Sequence, residues 1–114
     1  MAPTHTAKDG LHYFMILASQ KQRSGTSPRR RRGVGVYVNC WIDFKLYEGA
    51  LILAKFYIRK QGWRIRTVEA HRWVDGPADV ARGAVKYFRE AKRDGASFVF
   101  HMYPTVRRAR RNSD

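Results

Sequence analysis

The chain has 114 residues, which suits one domain built on one core. Its apolar fraction of 44%, with three Trp, six Tyr and six Phe, excludes a wholly disordered chain. Lys and Arg number 23 against nine Asp and Glu, a net charge of +14, so a polyanion is the expected partner: nucleic acid, an acidic membrane surface or an acidic protein.

Residues 1–10 are polar and are expected to fray. They lack a basic stretch followed by an apolar one. No run of about 18 apolar residues occurs that would span a bilayer, so no transmembrane segment is expected and the cytoplasm is the expected compartment. Residues 11–18 form an apolar, aromatic run of strand length. Residues 19–33 then hold no apolar side chain, with six basic residues, two Gly and one Pro, and read as a mobile basic loop.

Residues 34–44 give the clearest strand, with Val36, Val38, Cys40, Ile42 and Phe44 on one face and Tyr37, Asn39, Trp41 and Asp43 on the other. Cys40, the single cysteine, is expected to be a buried thiol. Residues 46–61 repeat apolar side chains at helical spacing and are followed by Gly62, a left-handed cap. Residues 63–74 alternate imperfectly, since Ile65 and Val68 are out of phase. A bulge near Thr67 is expected. Asp75-Gly76-Pro77 makes a turn into a second helix over 78–94, ended by Gly95, and 97–103 is a last strand. Residues 105–114 form a basic tail expected to be disordered.

The order is ββαβαβ. A two-layer α/β sandwich follows, with a mixed four-stranded sheet and both helices on one face. Residues 11–104 are then a single α/β domain.

The charge is unevenly spread. The loop over 20–33 carries six basic residues and no acid. The tail carries Arg107, Arg108, Arg110 and Arg111 with one acid, Asp114. Guanidinium forks pair with phosphate oxygens, so Arg29, Arg30, Arg31, Arg32 and the four tail arginines are candidate phosphate clamps. Arg82, Lys86, Arg89 and Arg93 add a stripe on the second helix, where a solvated surface is the competing reading.

With both helices on one face, the other is open. Tyr37, Trp41, Trp73 and Tyr103, with His71 and His101, are candidates for it. Aromatics there stack unpaired bases at roughly 1–3 kcal/mol each, or form a homodimer interface. An open aromatic sheet of this kind resembles RNA-recognition domains in layout only. The element order departs from βαββαβ and their basic-Gly-aromatic signature is missing, so no residue role carries over.

Catalytic signals are sparse. No CxxC or HExxH occurs, no metal or cofactor is implied, and Gly33-Val-Gly35 precedes a strand rather than following one. Asp43, Glu69, His71 and His101 form an acid–base set only if the strand order brings them together. The expectation is a non-enzymatic nucleic-acid-binding protein. A protein-interaction module is the alternative, and a metal-assisted phosphodiesterase the remote one.

Overall fold

The computed structural model describes residues 10–20 and 34–104. The elements are β1 (Leu11–Gln20), β2 (Val34–Ile42), α1 (Tyr47–Lys60), β3 (Trp63–Val74), α2 (Val85–Asp94) and β4 (Ala96–Pro104). The ββαβαβ order and the four-stranded α/β class hold. The clamp residues Arg29–Arg32, Arg107, Arg108, Arg110 and Arg111 lie outside the described residues. So do the N-terminal stretch, the tail and all of the basic loop beyond Gln20, which β1 incorporates.

Two architectural expectations are corrected. The sheet order is β3-β1-β2-β4 and every neighbouring pair is antiparallel, so the sheet is not mixed. The helices also sit on opposite faces. Both corrections have one cause. Pairing through β1 makes β2 and β3 parallel, so α1 must run the length of the sheet between them. Fourteen residues span about 21 Å, which suffices. β4 runs antiparallel to β3, so the second connection returns at the end where β3 finished. It need only cross the width of the sheet, about 14 Å for three strand spacings. α2 therefore lies across one end of the sheet, where no lengthwise crossover fixes its face.

The side chains follow the register. Phe14, Ile16 and Ala18 of β1 pair with Cys40, Val38 and Val36 of β2. With Ala50, Ala54 and Ile58 of α1 they form the larger core. On the other face Leu11, Trp41 and Val74 bury against Phe88 and Ala91 of α2. Cys40 is fully buried, and burial pushes its thiol pKa up, so it is an inert core group. The outer ridge of α1 leaves Ile52 and Phe56 exposed, with the Lys60 ammonium 5.7 Å from the Phe56 ring centre.

β3 is bulged twice against β1. Glu69 is skipped between Ala70 and Val68, and Arg66 between Thr67 and Ile65. These bulges bracket Thr67 and return both Ile65 and Val68 to the α1 face, which resolves the broken alternation. The second helix is shorter than 78–94. Two 3-10 turns, Pro77–Asp79 and Arg82–Ala84, precede it. Val80 and Ala81 between them are extended, at ψ 146° and 142°. The Asp79 carboxylate explains the break: it accepts from the Asp75 amide at 3.2 Å and pairs with Arg72 at 3.1 Å, tying this stretch back to β3. α2 ends on Gly95 at φ 100°, a left-handed cap that a side chain would strain, and Gly62 does the same after α1 at φ 94°.

Candidate nucleic-acid interface

Because α2 covers only one end, the α2 side of the sheet is half roofed. Along β2 this face presents Trp41, Asn39 and Tyr37 in turn. Beside them on β4 lie Ser97, Val99 and His101. Under the roof Trp41 is 6% exposed and stacks on Tyr87 with centroids 5.2 Å apart and planes at 25°. Beyond the roof Tyr37 is 39% exposed and stacks on Tyr103, again at 5.2 Å and 21°.

The Trp41–Tyr87 pair helps to line a cavity of about 390 Å³. Its floor is Tyr13, Asn39, Trp41 and Val99, its roof Val80, Ala84 and Tyr87, and its rim Arg72 and His101. The Tyr13 hydroxyl donates to Asn39 Oδ1, so the Asn39 amide nitrogen is the donor that side chain contributes to the wall. Burial, with the Cys40 thiol behind it, raises the Tyr13 pKa, while Arg72 lowers it. The phenol stays protonated and keeps that orientation. A cavity with aromatic floor and roof and a few polar groups at the rim suits a planar heterocycle.

Cations of α2 stand on its solvent side. Lys86, Arg89 and Arg93 are exposed on α2, and Arg82 is exposed on the turn before it. The Lys86 ammonium lies 5.1 Å from the Tyr87 ring centre, on the roof. Two charges are partly committed: Arg93 pairs with Asp94 at 2.9 Å, and Arg72 with Asp79. Lys92, on the inner side, bonds Asp43 at 2.9 Å and the Gly10 carbonyl at 3.2 Å, which pins α2 to the ends of β1 and β2.

The expected open-face aromatics divide. Tyr37 and Tyr103 are on the open half. Trp41 is on the same face but under α2. Trp73 is on the opposite face, because it pairs with His12 and shares the α1 side. There its indole covers Gly10 and donates to Asp75 at 2.8 Å. The layout is therefore unlike a sheet with both helices behind it, since α2 roofs the very face that carries the aromatics.

Asp43, Glu69, His71 and His101 do not converge. Asp43 is held by Lys92, Glu69 accepts from Thr67, His71 is on the α1 face and His101 on the α2 face. Among the described residues no group of three His, Cys, Asp or Glu is placed to hold a metal ion. No described helix is long and apolar enough to cross a membrane.

The sequence gives no sign of one polar cluster. His12 Nδ1 and His71 Nε2 lie 2.9 Å apart, ringed by Phe14, Tyr47 and Trp73. His12 Nε2 donates to the Lys45 carbonyl at 2.9 Å, so in the neutral pair His12 Nδ1 accepts and His71 donates. Burial, and then His12, lowers the His71 pKa. Fifty-nine residues separate the two, and only the β1–β3 pairing brings them together.

No protein-family model, curated protein or solved structure matches this chain.

Proposed function

We propose that the chain binds single-stranded nucleic acid across the α2 side of its sheet, without reading a long sequence. The observation that carries this is the half-roofed face itself. A Tyr37–Tyr103 stack with Tyr37 exposed and the Trp41–Tyr87 cavity lie on one surface, and the Lys86 ammonium lies over the Tyr87 ring. Stacking platforms flanked by cations are how sequence-tolerant single-strand binding is built.

Chain connectivity supports the same reading. Gln20 pairs with Trp63, and Val34 pairs with Pro104, so these four residues mark one end of the sheet. That is the Tyr37–Tyr103 end, and the arginine-rich segments 21–33 and 105–114 are joined to it. Phosphates of a strand lying on the stack are then met by Arg29–Arg32, Arg107, Arg108, Arg110 and Arg111 as clamps.

The test is anisotropy titration of labelled single-stranded and duplex oligonucleotides at several salt concentrations. Binding steeply weakened by salt and stronger for the single strand is expected. Replacing Arg29–Arg32 and the four tail arginines with Gln should flatten the salt dependence. Tyr37→Ala with Tyr103→Ala should remove the single-strand preference while duplex binding persists. Full affinity after the Gln replacements overturns the clamps, and an undiminished single-strand preference in the Tyr double variant overturns the platform.

A further inference from the structure

The two edges of the sheet are built differently. β3 carries Arg64, Arg66, Glu69 and Arg72 and is broken by two bulges, the usual devices that keep an edge from pairing with another strand. β4 has neither charge nor bulge, and its one proline, Pro104, is its last residue. Its nine residues, Ala96–Pro104, include no Lys, Arg, Asp or Glu, in a chain of net charge +14. Its register against β2 runs from Ile42–Ala96 to Val34–Pro104 without a shift. Among the described residues no strand pairs with its outer side.

The α1 face of β4 is also unfinished. Met102 is 63% exposed, and Phe98 and Phe100 are partly exposed. Tyr57 of α1, 42% exposed, reaches Phe98 with centroids 5.6 Å apart, and Phe98 and Phe100 stack at 6.4 Å. An incoming strand would meet a row of main-chain donors and acceptors about 30 Å long, over an apolar aromatic seat.

We infer that β4 is a dimerisation edge, and that its occupant is β4 of a second copy paired antiparallel about a two-fold axis. The composition of the edge selects the occupant. β3 and β4 are the two edges of the sheet and only β4 is uncharged, so an antiparallel copy brings the same uncharged strand and the same apolar row against it and sets no like charges across the pair, although two molecules at +14 repel elsewhere. An antiparallel self-pairing is isologous, so Phe98, Phe100 and Met102 of each copy cover those of the other. The two four-stranded sheets become one of eight. The inference does not depend on nucleic-acid binding, and its salt dependence has the opposite sign: screening the net charge strengthens the dimer and weakens polyanion binding.

Sedimentation of the full chain, free of nucleic acid, at low and high salt should show a concentration-dependent dimer favoured by salt. Hydrogen exchange on the same samples should show added protection on alternate β4 amides as the dimer fills, with β3 unchanged. Met102→Lys sets like charges across the seat and should weaken the dimer about tenfold or more, whereas Ala70→Lys on the β3 edge should leave it intact. If Met102→Lys fails to fold, exchange on the unaltered chain still decides. A monomer throughout, or a dimer with unchanged β4 exchange, overturns the inference. Outward-pointing β4 amides already protected in the dilute monomer also overturn it, assigning the edge to another segment of the same chain.

Discussion

Trp41 of β2 and Tyr87 of α2 stack at 5.2 Å, and this contact makes α2 the roof of a cavity rather than a helix packed flat on the sheet. Tyr87→Ala removes a half-buried ring from the smaller core and should cost about 2 kcal/mol of unfolding free energy. Urea denaturation measures it. The same variant should lose the response of the Trp41 indole resonance to added mononucleotide. An unchanged response would show that the base site lies elsewhere.

Lys92 and Asp43 form the least exposed ion pair among the described residues, at 27% and 31% side-chain exposure. Lys92→Met leaves the Asp43 carboxylate and the Gly10 carbonyl without that partner, in a place water only partly reaches. A loss of about 1–2 kcal/mol is expected, smaller than for a fully buried pair. Arg93→Met, which removes a pair at 69% and 50% exposure, should leave the melting temperature nearly unchanged. Thermal melts of both variants provide the comparison.

His71 ties stability to pH. Its pKa is lowered in the folded chain, by burial first and by His12 second, so the unfolded chain takes up the proton more readily. Its contribution is therefore fully present above the unfolded value of about 6.5, and is lost as pH falls through that value toward the folded one. Melting temperature should drop between about pH 7.5 and 5.5. His71→Gln should flatten that slope, and an equally steep slope in the variant would remove His71 as its source.

The cations of α2 are unequal. Arg89→Gln and Lys86→Gln should each lower the salt slope of single-strand binding by about 0.7, the loss of one phosphate contact. Arg93→Gln should lower it less, because Asp94 already engages that guanidinium. Equal effects at all three positions would count against the pairing.

Much of the fold was legible because it rests on local periodicity. The alternation of Val36, Val38, Cys40 and Ile42 marks one buried face, and the dephasing of Ile65 and Val68 marks the bulges. The sides taken by the helices were not legible. They depend on whether β4 runs parallel or antiparallel to β3, which is a matter of pairing between distant segments. The same limit separated Trp73 from Trp41 and hid the meeting of His12 with His71. Phe44 misled for a local reason: it continues the alternation of β2, but the strand ends at Ile42 and its ring lies over Gly49.

A sheet with a core on each face comes apart in stages. Among the described residues the α1 side buries a cluster of ten apolar residues, and the α2 side one of five. Release of α2 exposes Trp41 and Val74 yet leaves the α1 core untouched behind the strands. Native-state hydrogen exchange in rising denaturant should therefore resolve two cooperative units. The α2 amides belong to the weaker one, and the cavity exists only while that unit is closed.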